Sequence, residues 1–361
     1  MMKGKVVLFS IAVCTVFALL CGCGKKEVTK QETTEKKQPV VVEEQQQEEV
    51  KDSHAGKVKS KLTGLWIKKS VAKKRPIAFM MGNTNEAAPQ SGIGKASVVY
   101  EIPVEGGITR LMALIENYKR VKKIGSARSC RYYFVHYAME YDALYCHFGQ
   151  SKYAKSLLAQ RAVNNINGLE NLAGKAYYRS NERKAPHNAY AVGKRLYEYA
   201  KSCGYRLNYR DGQKRHFRFA DKQHPNRLKN GVSAKTVKPG YPIDNPTFTY
   251  SKKKGLYYRS QYHKPHVDQE IGKQLSCKNI IIQYVSMGLF DDKKSLTLKT
   301  VGSGDGMFIT NGKAIPITWS KQDTFAVTHY YGVGGKEVKL NPGKTWVLIV
   351  DRSKRNLVSI Q

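Results

Sequence analysis

The side chains whose types and spacing could do chemistry gather between Val98 and Gln150. Glu101 and Glu105 are the only acids there before Glu116. Glycan cleavage needs a placed carboxylic acid, and Glu105, with His187 or His147 assisting, would be that group. Arg110 lies within an apolar run, where a charge is costly unless it is paired or used. Glu101 or Glu105 is its natural partner, and an anionic ligand is the other reading. Arg128 and Arg131 fall in the first turns of a helix expected over Ala127–Tyr141, where free N–H groups and the helix dipole already attract anions. Two arginines at that end call for an anionic partner, either a ligand or Glu101, Glu105, Glu140 or Asp142. His147 closes an apolar run just before Gly149, and His187 precedes Asn188, which suits the N-cap of a second helix. Arg183 lies close by in sequence. If both helix starts face the strand ends, Glu105, Arg110, Arg128, Arg131 and His187 line one pocket, with Glu101, His147, Arg183 and Asn188 around it.

The elements that must position these groups follow from hydrophobic period and turn chemistry. Pro76–Met81, Val98–Pro103 and Ile108–Ile115 read as strands, the last two joined by a Gly106-Gly107 turn. Along Ile108–Ile115 the odd and even positions are both mostly apolar, so this strand is expected to be central. Asp142–Phe148 is another strand. The segment after Asn188 is helical, with Leu196, Tyr199, Ala200 and Cys203 on its apolar face and Gly204 as its stop. Asp221–Asn245 is rich in Pro, Gly and Asn and reads as a connection. Short strands dominate from Pro246 onward, and Asn311-Gly312 marks a tight hairpin. The fold class is therefore α+β or α/β. A mixed-sheet N-terminal domain with helices spans 61–220, a connecting loop spans 221–245, and a smaller β-rich C-terminal domain spans 246–361. Gly302–Gly306 matches neither a Walker loop nor a dinucleotide fingerprint. His263, His266 and Asp268 within a turn make a poor metal set, and no metal or cofactor is expected. Cys130, Cys146, Cys203 and Cys277 show no CxxC spacing and read as buried free thiols.

Charge and the N-terminus narrow the function. The chain carries 62 basic and 28 acidic residues, and residues 61–361 hold a net +32 of the total +34. Such a field attracts polyanions: nucleic acid, anionic lipid headgroups or the phosphate-bearing polymers of a bacterial wall. Lys3 and Lys5 precede an uncharged run from Val6 to Leu20 and then Leu20-Cys21-Gly22-Cys23. This is a secretory signal ending in a lipobox, with Cys23 as the lipidated first residue of the mature protein. Signal 1–23 is followed by a polar tether, 24–60, too poor in apolar residues to fold. A nucleic-acid role is thereby set aside.

EIPVEGGITRLMALIE, IGSARSCRYYFV, EYDALYCHFGQS and RKAPHNAYA, followed by GMFITNGKAIPITW and LNPGKTW, resemble successive motifs of the YerB-like lipoproteins of Firmicutes. The resemblance runs from about residue 65 to the end. It implies a cell-envelope lipoprotein with N-terminal and C-terminal domains of unassigned function, and it brings no catalytic residues. The preferred reading is a lipid-anchored protein on the extracytoplasmic face of the membrane, binding anionic wall polymer or a wall-synthesis or remodelling partner. A wall-glycan or phosphodiester-cleaving enzyme using Glu105 with His187 or His147 is the alternative.

Overall fold

The computed structural model describes residues 54–170, 175–213 and 215–361. The signal segment, Cys23 and the tether up to residue 53 lie outside the described residues. Lys57–Lys59, read from sequence as the end of the tether, form a strand paired with Trp66–Lys68.

Eleven strands join one mixed sheet. In chain order they are β1 (Ile77–Gly82), β2 (Val98–Pro103), β3 (Thr109–Ile115), β4 (Leu144–His147), β5 (Asn165–Asn167) and β6 (Val232–Ser233). Then come β7 (Asn279–Val285), β8 (Gly302–Thr310), β9 (Lys313–Lys321), β10 (His329–Tyr331) and β11 (Thr345–Asp351). The spatial order is β6-β9-β8-β7-β11-β2-β3-β1-β4-β5, with β10 added beside β9. The β2–β3 and β8–β9 hairpins are antiparallel and turn at the residues read from sequence. Gly106 and Gly107 have φ of 76° and 74°, and Asn311 and Gly312 have 53° and 77°. Such left-handed angles explain Gly and Asn at these positions. β11 joins the halves, lying parallel to β7 on one side and to β2 on the other, with Thr345 opposite both Asn279 and Val98. The stretches read as separate domains thus share one sheet, and Asp52–Gln361 is one compact unit.

Strand alternation assigns the two faces of this sheet. Phe79, Met81, Leu111, Ala113, Ile280, Ile282, Trp346 and Leu348 belong to one core. Val237, Phe248 and Tyr257 of a second, smaller sheet, built around Thr236–Lys238, Thr247–Ser251 and Leu256–Gln261, pack into the same core. Ala78, Met80, Tyr100, Met112, Leu114, Ile281, Val347 and Ile349 point the other way, against Tyr133, Phe134, Tyr137 and Ala138 of α1 (Tyr132–Met139). Fully burying side chains of this size stabilises by about 1.5–3 kcal/mol each, before chain entropy is set against it.

The structure corrects both helix starts. α1 begins at Tyr132, not Ala127, because the preceding backbone bridges neighbouring strands, Ala127 to Met81 and Cys130 to Gln150. Ala127 donates to Ala189, Arg128 to Met80 and Cys130 to Gly149. Arg128 therefore precedes the helix, and Arg131 is its extended N-cap residue. Asn188 caps no helix. Its carbonyl accepts from Ser180, and Ala189–Ala191 forms a strand between Tyr177–Arg179 and Ile124–Gly125. The second longer helix, α2 (Gly193–Ser202), starts five residues later. Of the four thiols here, all free, Cys130, Cys146 and Cys277 are buried, whereas Cys203 at the C-cap of α2 is exposed.

Candidate anion-binding site

Arg110 and Glu101 occupy neighbouring strands but opposite faces. Arg110 pairs with Ile102 in the β2–β3 ladder, so Glu101, one residue earlier, points to the other side. Of the two carboxylates expected beside Arg110, Glu101 therefore lies on the wrong face, and Glu105 pairs with Arg131 instead. Glu101, fully buried, is instead held by Arg259, whose Nη2 lies 2.8 and 2.9 Å from its two oxygens. Trp346 Nε1 donates to Glu101 as well, at 3.1 Å. Asp244, Asn83 and Thr109 join this network, in which Arg259 Nε and Asp244 Oδ1 have no partner. Arg259 also contacts His266 Nδ1, whose Nε2 lies 2.5 Å from Gln90 Oε1. Asp268 accepts from the N–H of Gly94, Glu270 and Ile271. His266 and Asp268 are thus fully engaged in holding the fold, and among the described residues no group of His, Cys, Asp or Glu could hold a metal. Burial, and then the neighbouring Glu101, push the Asp244 carboxyl up to about 8.

Glu105 and Arg131 form the ion pair of the central stretch. Arg131 Nη2 lies 2.6 Å from Glu105 Oε2, and Nε donates to both carboxylate oxygens at 2.8 and 2.9 Å. Burial alone would raise the Glu105 pKa, but Arg131 outweighs it and holds the carboxyl below its usual value. Glu105 is thus ionised at neutral pH and suited to accept a proton, not to donate one. His147 is buried beneath the strand end, with Nδ1–H donating to the Gly149 carbonyl at 2.9 Å and Nε2 lying 3.2 Å from Asn165 Oδ1. The one N–H of the neutral ring is thus used within the fold, and Nε2 faces the Asn165 amide oxygen without donating to it.

Arg128 and His187 do meet. The Arg128 guanidinium donates to the Pro186 carbonyl and to His187 Nδ1. That ring nitrogen is then an acceptor, so a neutral His187 carries its proton on Nε2. Burial and then Arg128 lower the His187 pKa, favouring this neutral form. Arg110 donates to the Ser129 carbonyl at 2.7 Å. Arg183 donates to the carbonyls of Ala87 and Pro89, and Arg179 to Asn188 Oδ1. Among the described residues no carboxylate lies within ion-pair distance of Arg110, Arg128, Arg179 or Arg183. Burial and then Arg131 bring Arg110 down to about 10, and burial and then Arg179 do the same to Arg128. Arg110 and Arg128 stay charged at neutral pH, with Glu105 and Glu86 attracting them only from beyond ion-pair distance.

The expected constellation thus divides. Arg128 and His187 are in contact, and Arg110 feels the charges of Arg128, Arg131 and Glu105. Arg183 and Asn188 hold nearby loops, while Glu101 and His147 belong to the buried framework. Arg179 was missed by sequence reasoning. Its only local signal was a cation in the Tyr177–Arg179 segment, which the strand pairing with Ala189–Ala191 turns toward Asn188.

Residues 62–206 match the family described as protein of unknown function (DUF3048), N-terminal domain, and residues 237–347 match its C-terminal domain. The chain is 31% identical over 346 residues to the protein named "Putative lipoprotein YerB" of Bacillus subtilis (strain 168), covering 94% of this chain and 93% of that one. It superposes on the crystal structure of YerB from Bacillus subtilis with a TM-score of 0.73 at 30% identity, covering 84% of this chain and 99% of the other. Among the described residues no helix is long and apolar enough to cross a membrane. With both halves matched in order, the chain belongs to the YerB family of proteins of unknown function (DUF3048).

Proposed function

We propose that this protein is a lipid-anchored envelope protein that holds an anionic cell-wall polymer at the arginine-lined end of the sheet. The observation that carries this reading is that Arg110 and Arg128, both half-buried, meet at one strand position, Arg110 standing opposite Gly82 and the Arg128 side chain packing over Gly82, with no carboxylate in ion-pair distance among the described residues. A phosphate or carboxylate of a polymer would supply the missing charge, and charge-assisted bonds to guanidinium are strong and directional. The +32 carried by residues 61–361 would draw such a polymer in from a distance.

The test is retention of the full chain, in mild detergent, on cell-wall sacculi with and without their teichoic-type phosphate. Retention should fall steeply between low and high salt, because exposed charges are screened over about 8–10 Å at physiological ionic strength. It should also fall when the phosphate polymer is stripped. Equal retention under all four conditions would overturn the reading, and release of soluble glycan would establish the hydrolytic alternative. For the anchor, Cys23→Ser should abolish fatty-acid labelling. Normal labelling of that variant would remove the lipobox from the account.

A further inference from the structure

We propose that a second cleft, on the far side of the β2–β3 hairpin from Glu105, takes the phosphate-bearing sugar or polyol repeats of the same polymer. The cleft has a volume of about 770 Å³ and lies between the Lys57–Lys68 hairpin and the turn at Glu116–Arg120. This inference deepens the reading above by naming the ligand class, and it rests on that reading for the idea that wall polymer is bound at all.

Three features of the cleft carry it. Lys68, Lys95, Lys119, Arg120 and Lys194 are exposed cations on its wall, and only Lys119 has an ion pair among the described residues, with half-exposed Glu198 at 3.8 Å. Trp66 adds an indole to the same wall; its ring stacks on His54 at 4.1 Å with Lys59 Nζ 5.7 Å from its centroid, and it is still 44% exposed. An aromatic face packs against the C–H face of a sugar ring, and a bare phosphate chain gives it nothing to hold. Glu116 also lines the cleft, accepting from Ser60 Oγ at 2.8 Å and Ser97 Oγ at 2.7 Å. Burial, opposed by these hydroxyls, raises its pKa. A site for naked phosphate would gain nothing from a carboxyl among its cations. A ligand with hydroxyl groups between its phosphates uses both, donating its O–H groups to Glu116 and its charge to the rim.

Trp66 supplies the readout. The other two tryptophans, Trp319 and Trp346, are 3% exposed, with their N–H groups bonded to Tyr284 and Glu101. A ligand-induced change in emission therefore reports Trp66. Sugar-substituted poly(glycerol phosphate) titrated into the full chain in mild detergent should shift that emission. The paired change Arg120→Ala with Lys194→Ala, both exposed sites, should weaken binding at least tenfold. Trp66→Leu, followed by calorimetry, should lose affinity for the sugar-substituted polymer and keep it for the unsubstituted chain. Unchanged affinity in the paired variant, or a Trp66→Leu variant indifferent to the sugar, would overturn the proposal. So would phosphatidylglycerol vesicles producing the same emission change as the polymer. The variant Arg110→Ala with Arg128→Ala separates this inference from the functional reading. Loss of wall retention with the Trp66 response intact supports the cleft as a site of its own. Loss of both in that variant, with the Arg120/Lys194 variant unaffected, sinks the cleft and leaves the arginine-lined end.

Discussion

Two groups of charges at the ends of the same strands behave in opposite ways. The Glu101–Arg259–Asp244 group is sealed between the two sheets, and its charges find partners within the chain. The Arg110–Arg128–His187 group on the other face is half-exposed and relies on carbonyls and a neutral imidazole. Buried opposite charges must be paired, because an unpaired charge in a low-dielectric interior is costly. A half-exposed arginine group can remain incomplete, because water supports it until an anion arrives. The first arrangement is architecture, and the second is the one on which the proposed anion site rests.

The largest effect should come from breaking the sealed group. Arg259→Met leaves Glu101 buried without its cation and should cost about 3–5 kcal/mol of unfolding free energy. Denaturant titration measures this, and a loss below about 1 kcal/mol would mean that the network contributes little to holding the sheets together. The next effect is in pH. Folded Asp244 keeps its proton up to about pH 8, whereas the unfolded side chain loses it near pH 4. The folded state therefore binds the extra proton, and stability falls as pH rises through that window. Neutral His136, partly buried, and the buried His216 and His266, whose pKa values are lowered by burial first, pull the other way below about pH 6.5. Between about pH 6.5 and 8 the Asp244 slope should approach 1.4 kcal/mol per pH unit, and Asp244→Asn should flatten it.

The open group predicts smaller changes in stability and larger ones in binding. Arg128→Ala should change the unfolding free energy by about 1 kcal/mol or less, because its acceptors return to water. Wall retention should drop about tenfold, or about 1.4 kcal/mol. A large stability loss with unchanged retention would place Arg128 with the sealed group. The smallest effect should be Glu105→Gln. The Glu105–Arg131 pair is partly exposed, so its loss should cost about 1 kcal/mol or less. Freeing Arg131 should raise anion retention a few-fold, and a drop in retention would show that Glu105 itself contacts the ligand.

Much of the local structure was legible because it is written in short-range chemistry. Strands β1 to β4 follow from apolar runs, and Gly106-Gly107 and Asn311-Gly312 from the φ values their turns need. The helix starts were misplaced because Ala127, Arg128 and Cys130 have acceptable helical neighbours in sequence. Their backbone instead bridges neighbouring strands, Ala127 to Met81 and Cys130 to Gln150. The Glu101–Arg110 pairing failed on a one-residue register. Ile102 stands opposite Arg110, and alternation sends Glu101 to the other face.

What the sequence determined by itself is therefore the periodic and the compositional. It set the strand-forming runs, the turns with left-handed residues, the family, and a basic excess that no fold could neutralise internally. Tertiary structure alone decided which charges are paired. Arg259 and Glu101 are 158 residues apart, and β11 reaches β2 across almost the whole described chain. No local pattern encodes such a pairing, because it forms only when two sheets close over a shared core and exclude water from the charges between them.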